Sequence, residues 1–490
     1  MKAGMAAAVE TAMRVDEGHP PMRWVLASLA LSMLLSSLGT SIANVGLPTL
    51  ALAFNASFQA VQWVVLAYLL AITTLIVSAG RLGDLIGRRR LLLAGIVVFT
   101  TASILCGLAP TLGMLIAARA AQGLGAAIMM ALAMALVGET VPKEKTGSAM
   151  GLLGTLSAIG TALGPTLGGV LIAAFGWPAI FLVNAPLGMV TLFLAWRFLP
   201  ADRRSPASGG AGFDTLGTAL LAVTLAAYAL AVTVHPDGSG GGFGPLNAAL
   251  LLAAAVGLGL FVLRQVKTAS PLIRLAMFRD GALSASLGMS ALVSTILMAT
   301  LVVGPFYLSL ALGLDTAAVG LVMSVGPLVV AVTGVPAGRI ADRYGAQRMT
   351  FAGLIGIAAG SFALFLVPAS MGIPGYLAPM VVITMGYALF QTANNTAVMA
   401  GVAPDQRGLV SGLLNLSRNL GLITGASVMG AVFASASGAV EVNSAAPDRI
   451  AAGMRITFAV AGALAALAMA IGAPFRKGAG GRISSAPPTA

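Results

Sequence analysis

The chain is 490 residues long, 58% hydrophobic and only 9% charged, with a mean hydropathy of +0.97 and a net charge of +12. A soluble domain carries about 25% charged residues, so this composition excludes one and marks an integral membrane protein. A single cysteine, Cys106, excludes a disulfide framework and a multi-cysteine metal centre, and neither a metal nor a cofactor is expected.

Residues 1–23 resemble the charged front of a signal peptide. The apolar stretch behind them is too long and lacks a small-residue cleavage site, so the first span is read as retained. Fourteen apolar segments are predicted, each able to cross roughly 30 Å of hydrocarbon as a helix. They fall near 24–54, 60–79, 91–109, 112–137, 148–174, 178–198, 214–234, 246–264, 282–311, 317–337, 349–368, 375–400, 408–436 and 452–473. With the amino terminus inside, 23 of the 27 lysines and arginines gather in the tails and alternate loops of one side. One missed or added span would scramble that alternation. The positive charge is thus an orientation signal with some attraction to anionic lipid, and it argues for no nucleic acid. Both termini are expected in the cytoplasm, and the compact loops and short tails point to the plasma membrane of a bacterium, its inner membrane.

In span 1, Ser37, Ser41 and Asn44 stand at i, i+4 and i+7 on one face. Span 2 carries Trp63 and Tyr68 and leads into GRLGDLIGRRR at 80–90. Its glycines predict a short, tight turn between two helix ends. Its acid, Asp84, is placed to meet the N-terminal dipole of a neighbouring helix. Its arginines, including Arg81 and Arg88, pair or face lipid phosphate. In span 4, Arg119 and Gln122 lie three residues apart on one helix face. An arginine at the centre of a span costs roughly 2.5–3.5 kcal/mol on insertion scales, so it must face a cavity or a partner. A functional group and a purely structural bridge both meet that condition. Span 5 contains Gly160, Gly164, Pro165, Gly168 and Gly169, small residues that allow close backbone approach beside a proline that bends the helix. This suits a hinge or a tight seal between halves, with ordinary glycine packing as the alternative.

Beyond span 6 the segment PADRRSPASGGAGF at 200–213 reads as a flexible linker, and 264–280 as a helix lying in the interface. The 80–90 segment then returns: Gly80, Arg81, Asp84, Gly87 and Arg90 match Gly338, Arg339, Asp342, Gly345 and Arg348 at an offset of 258 residues. Gly147, Gly151, Gly160 and Gly164 likewise match Gly408, Gly412, Gly421 and Gly425 at an offset of 261, although Ala426 stands where span 5 has Pro165. These repeats divide the chain into a six-span half at 1–199, an insert with spans 7 and 8 at 200–281, a second six-span half at 282–475 and a cytoplasmic tail at 476–490. Span 12 carries Gln391, Asn394 and Asn395, and span 13 carries Ser411, Asn415, Arg418 and Asn419. Such stripes must face protein or water, since polar groups facing lipid are costly. They are candidate substrate contacts, as are Ser41, Asn44, Trp63 and Gln122, and interhelical hydrogen bonding explains each stripe equally well. Arg119 and Arg418 are two buried cations with no buried anion, which tilts a cavity between them positive.

Internal repeats of this kind mark secondary transporters. The repeated 80–90 segment, the span-4 arginine and the GPxxGG element of span 5 together resemble the major facilitator superfamily, and within it the fourteen-span drug:proton antiporter branch. IANVGLPTL (42–50), QWVVLAYLL (62–70) and GWPAIFLVNAPLG (176–188) add to the likeness. The resemblance implies an all-α fold of fourteen helices arranged 6+2+6, alternating access, and export. By the same match Arg119 looks like the arginine tied to proton coupling, and Arg81 and Asp84 look like residues of an inner gate. One departure stands out: many exporters of this branch carry an aspartate in span 1 where this chain has Gly39. The fifteen acids all lie in tails, loops or span ends, with Asp84, Glu139 and Asp315 left as candidate proton carriers. A missing counter-ion favours neutral, zwitterionic or anionic substrates over cations.

The expected activity is secondary active export of small amphipathic compounds, multidrug efflux by proton antiport, carried out by a monomer. A dedicated exporter or facilitator of one neutral or anionic metabolite is the alternative. An enzyme is not expected, because the spans hold no histidine, no carboxylate pair and no GxxxxGK[ST] nucleotide loop.

Overall fold

The structure, a computed structural model, describes residues 22–141, 143–202, 214–233, 244–268, 271, 275–400, 402, 407–438 and 445–474. Among these there is no strand, and fourteen helices are long and apolar enough to cross a membrane. Spans 1 to 6 are Met22–Val45, Phe58–Ile76, Arg88–Gly107, Leu112–Gly138, Leu152–Phe175 and Ala179–Phe198. Spans 7 and 8 are Thr215–Thr233 and Pro245–Lys267. Spans 9 to 14 are Gly281–Ala311, Thr316–Gly334, Ala346–Leu366, Ala369–Met399, Leu413–Ser437 and Pro447–Gly472. These agree with the sequence boundaries to within a few residues except at the end of span 1. There Pro48, which cannot donate to a helix ladder, begins a separate short helix, Leu47–Ala53. The interfacial helix expected at 264–280 is not continuous: span 8 runs to Lys267, a 3-10 turn occupies Leu275–Arg279, and the residues between lie mostly outside those described.

The 80–90 segment departs from its expected form. The helix of span 2 runs unbroken from Phe58 to Ile86 and a new helix starts at Arg88, so the turn is one residue, Gly87, at φ +108°. The second copy is built alike: the helix Thr316–Tyr344, then Gly345 at φ +90°, then Ala346–Leu366. Only glycine adopts such a φ without steric cost, while Gly83 within RLGDLI costs the helix only about 1 kcal/mol. The acid at the dipole of span 3 is also different. Asp202, beyond span 6, accepts from the backbone amides of Arg89 (2.8 Å) and Arg90 (3.2 Å), whereas Asp84 faces Arg88 one turn away. The end of the molecule bearing Gly87 and Gly345 is called the arginine-rich face below, and the opposite end the far face.

The duplication visible in the sequence is carried by backbone contact between helices. In the first half Gly160, Gly164 and Gly168 of span 5 rest on span 1, where a Cβ at Gly168 would lie 2.7 Å from Val45 and 3.0 Å from the Ile42 carbonyl. In the second half Gly421 and Gly425 of span 13 rest in the same way on Ala291 and Thr295 of span 9. These glycines therefore seal helices within a half. The contact between halves is made by Gly169 alone of that set, with the Pro165 carbonyl: a Cβ at Gly320 of span 10 would stand 2.6 Å from the Pro165 oxygen and 2.9 Å from the Gly169 Cα. The span 5 helix continues through Pro165 without a break, from Lys143 to Phe175.

The hydrophobic core is divided unevenly between the two faces. One continuous cluster joins the halves toward the far face, with Phe58, Ile172, Phe306 and Phe433 among its residues, and within the second half it runs on toward the arginine-rich face through Leu354, Ala465 and Ala468. Toward the arginine-rich face the cores separate. One belongs to the first half around Leu29, Leu92 and Leu132, and another joins span 7 to spans 9 and 13 around Leu221, Leu283 and Leu413.

Span 7 is hydrogen-bonded to both halves. Thr218 meets Ser78 (2.9 Å) and Thr233 accepts from the Trp63 indole (3.1 Å), both on the span 2 helix. Tyr228 donates to Thr424 on span 13 (3.3 Å). Its start is fixed by Asp214, which accepts from the Gly217 amide, Arg264 Nε (3.1 Å) and Gln265 Nε2 (3.1 Å). Burial alone would raise the Asp214 carboxyl, but these donors outweigh it and hold the group below the usual carboxylate range. Span 8 lies outside span 7 and is the least buried of the fourteen, with 11% of its apolar window covered. Its Leu252, Val256 and Leu263 are exposed as lipid-facing residues would be.

Candidate functional site

Arg119 is fully buried, the largest side chain in the molecule with no exposed surface. Span 4 projects it between spans 1 and 2, where its donors are met by uncharged acceptors. Nε donates to the Val64 carbonyl (2.8 Å), Nη2 to the Gly39 carbonyl (3.0 Å) and Nη1 to Gln122 Oε1 (2.6 Å). The guanidinium lies 4.1 Å from the centroid of the Tyr68 ring and 5.7 Å from that of Phe181. A cation over an aromatic face gains electrostatic attraction that grows as water is removed. Gln122 passes the network on to Ser103 (2.7 Å), whose hydroxyl donates to the Phe99 carbonyl (2.7 Å), and Tyr68 donates to the Ser36 carbonyl (2.7 Å).

No carboxylate takes part. Among the fourteen spans the only acid is Asp448, the second residue of span 14. At Gly39 a Cβ would lie 2.8 Å from the Tyr68 hydroxyl and 3.4 Å from Phe99, so the place of an aspartate is filled by Tyr68. An arginine stays charged and cannot itself give up a proton, so this network stores a fixed positive charge. The sequence picks out Arg119, Gln122 and Gly39; Ser103 and the carbonyls belong to it only through the fold.

The gate residues lie at the arginine-rich face. Arg88 binds Asp84 Oδ1 through Nε (3.0 Å) and Nη2 (2.9 Å), an exposed pair of the kind that contributes about 0–1 kcal/mol. Arg88 also reaches the Ala135 carbonyl of span 4 (3.4 Å), which ties the turn to the helix that carries Arg119. The side chains of Arg81 and Glu139 are outside the described residues. Asp315 is an exposed helix cap that accepts from the Ala318 amide (2.7 Å).

The polar stripes divide into two kinds. That of span 1 is used between helices: Ser37 meets Ser157 (2.6 Å), Ser41 donates to the Gly160 carbonyl (3.4 Å), and Asn44 donates to Thr40 and Ser41 while its Oδ1 has no partner among the described residues. Asn394 of span 12 is likewise buried and donates to Ser286 of span 9 (3.4 Å). Trp63 is half-buried and spent on Thr233. By contrast Gln391, Asn395, Asn415 and Arg418 are all half-buried, so part of each side chain is left uncovered. Arg418 is therefore not a second fully buried cation.

At the far face the halves are shut by an aromatic trio, of which sequence reading offers Phe306 as an apolar cavity wall and passes over Phe58 and Phe433. Phe58 lies 4.7 Å from Phe306 and 5.4 Å from Phe433, centroid to centroid, and all three are buried. They come from spans 2, 9 and 13. One turn along from Phe58, Gln62 is 1% exposed with neither amide atom hydrogen-bonded to a described residue. It abuts Gly430, where span 13 leaves a π-helix at Gly425–Met429. A glutamine inside QWVVLAYLL was the available signal for this position.

Residues 29–426 match the Major Facilitator Superfamily, and the chain belongs to that family. It is a multi-pass membrane transporter and not an enzyme. Among its relatives is the riboflavin transporter RibZ of Clostridioides difficile, 30% identical over 415 residues, covering 84% of this chain and 88% of RibZ. The multidrug resistance protein Stp of Mycobacterium tuberculosis is 32% identical over 437 residues, covering 87% of this chain and 79% of Stp. A bacterial homolog of the human lysosomal transporter Spinster, solved inward-facing and unoccupied, shares the fold with a TM-score of 0.67 at 16% identity over 92% of this chain and 96% of that one.

Proposed function

We propose that this transporter exports small amphipathic compounds, a multidrug efflux activity, by alternating access in exchange for protons. It works as a monomer in the bacterial inner membrane, with the arginine-rich face and both termini in the cytoplasm. The observation that carries the reading is the divided core: one apolar cluster joins both halves at the far face, and separate clusters serve them at the other. Two halves built on the same glycine contacts and joined at one end are suited to rocking about a central site. The structure then represents the inward-open state. Relatives named for multidrug resistance and drug efflux support the export direction.

In this reading Gln391, Asn395, Asn415 and Arg418 line the substrate path, and the buried Gln122, with Ser41, Asn44, Trp63 and Asn394, holds its walls. Arg81, Asp84 and Arg88 form the cytoplasmic gate, and Gly160, Gly164 and Pro165 keep span 5 close to its neighbours. Arg119 couples proton exchange to substrate through its fixed charge. The working units are 1–199, 200–281 and 282–475, with a cytoplasmic tail at 476–490.

A second reading, a dedicated carrier of one neutral or anionic metabolite, draws on the carboxylate-free Arg119 network and on the likeness to a riboflavin transporter. One experiment separates the two. Protein in liposomes is given anionic, neutral and cationic amphiphiles and riboflavin while proton release is recorded, with Arg119→Ala alongside. Release with several unrelated compounds, lost in the variant, is the expected result. A response to one compound alone would select the dedicated carrier, and transport without proton movement would remove antiport.

A further inference from the structure

Away from the path between the halves, the far face of the second half holds a cavity of about 290 Å³. It is bounded by the ends of spans 9 and 11 and the starts of spans 12 and 14, with Tyr307, Leu364, Tyr376, Asp448, Met454 and Arg455 among its lining. Tyr307 opens the π-helix that ends span 9, Tyr307–Ala311, and its ring lies 5.9 Å from that of Tyr376. π-Helical turns are rare and cluster at functional sites.

The two charges carry the argument. Asp448 and Arg455 are seven residues apart on one helix, so they share a face and are separated by about 10 Å along its axis. Both are exposed, and no ion pair among the described residues joins them or gives either another partner. Arg455 stands eight residues into a membrane span, about 12 Å from its far-face end, where an unmatched cation is costly. The order along the membrane normal is acid at the surface and base beneath it. Leu364 and Met454 supply an apolar wall beside the charges.

From this arrangement we propose that the cavity binds a zwitterion whose ammonium is outermost and whose phosphate lies deeper, the chemistry of a phosphoethanolamine head group. The ammonium pairs with Asp448. Arg455, whose long side chain can bend back toward the interface, takes the phosphate, and the glycerol and acyl chains continue into the surrounding lipid. An anionic lipid without an amine satisfies Arg455 but meets Asp448 as a like charge. The site therefore selects on net zwitterionic character and does not simply collect negative lipid. The same groups would accept a soluble phospho-amine.

The test is lipid retention on the full-length transporter by native mass spectrometry, titrated with phosphatidylethanolamine, phosphatidylglycerol or free phosphoethanolamine. Wild type is expected to hold phosphatidylethanolamine about fivefold more tightly than phosphatidylglycerol. Asp448→Asn should erase that preference by admitting phosphatidylglycerol, Arg455→Ala should weaken both lipids, and Arg455→Lys should restore binding. Arg449→Ala, outside the cavity, serves as the charge-loss control. Competition by free phosphoethanolamine would make the occupant a soluble zwitterion, and its failure to compete would make it a lipid; either supports the site. Equal retention of the two lipids, unchanged in Asp448→Asn and Arg455→Ala, would overturn it. Thermal melting of each variant without added lipid shows that the comparison is made on folded protein.

Discussion

Spans 3 and 4 of the first half meet at Gly95 and Gly125, and spans 11 and 12 of the second meet at Gly353 and Gly386, with glycine Cβ positions and backbone in near-identical opposition. At the same offsets Ser103 recurs as Ser361, each donating to the carbonyl four residues back, but the charged network does not recur. The counterparts of Arg119, Gln122 and Tyr68 are Met380, Ile383 and Gly326, and Met380 and Ile383 are core residues. The duplicated part of this molecule is its backbone packing, which any pair of halves needs in order to fold. The buried charge was placed in one half only, so whatever it couples to is not shared between the halves.

The largest effect is expected where that difference is erased. Arg119→Met with Gln122→Ile copies the second half into the first and should abolish transport in the liposome assay. The loss of stability should be modest, since the orphaned Gly39 and Val64 carbonyls cost about 1–3 kcal/mol each. Retained transport would remove Arg119 from the mechanism. The reverse change, Met380→Arg, buries a cation among residues with no acceptor, and a loss of roughly 3–5 kcal/mol should appear as a collapse in melting temperature or yield of folded protein. The two glycine seams, where the halves agree, should respond alike. Gly425→Ala drives a Cβ to 2.5 Å from the Thr295 backbone oxygen, and Gly164→Ala drives one to 2.7 Å from the Ser41 Cβ and 2.9 Å from the Ile42 amide nitrogen, none of which a rotamer change moves aside. Stability read by melting should fall by about 1–3 kcal/mol for each, and a loss confined to one of them would break the likeness. Smallest is Asp214→Asn, at about 1 kcal/mol. Because the folded carboxyl lies below its usual range, its contribution is complete above the ordinary carboxylate pKa of about 4 and fades as pH falls through the lower folded value. Wild type and variant should therefore converge only in acid, and convergence at neutral pH would remove Asp214 as an anchor.

Much of the architecture was legible from the chain. Hydropathy set the fourteen spans, and two offsets exposed the repeat, because a membrane span and a glycine contact each leave a mark at fixed spacing. Local detail was less so. The 80–90 segment reads as a turn from its glycines, yet only Gly87 takes a positive φ, and that choice depends on where span 3 is held by Asp202, 112 and 113 residues away from the amides it accepts. The span 1 stripe and the span 12 and 13 stripes look alike in sequence. They diverge because Ser157 and Gly160 close over Ser37 and Ser41, whereas Gln391 and Asn415 stay half-buried. Tyr68 in the place of an aspartate follows from packing between helices, which spacing along one helix does not encode.

Span 7 also decides how the joins between the halves are covered. The halves meet the surrounding lipid along two vertical joins, one beside spans 2 and 13 and one beside spans 5 and 10. Span 7 is bonded across the first through Trp63, Ser78 and Thr424, with span 8 outside it. The second is closed directly by spans 5 and 10, which pack closely enough for Gly320 to meet Gly169 and the Pro165 carbonyl. In the plane of the membrane the molecule thus has a front and a back: one join is covered by an inserted span, and the other is sealed by two helices pressed backbone to backbone.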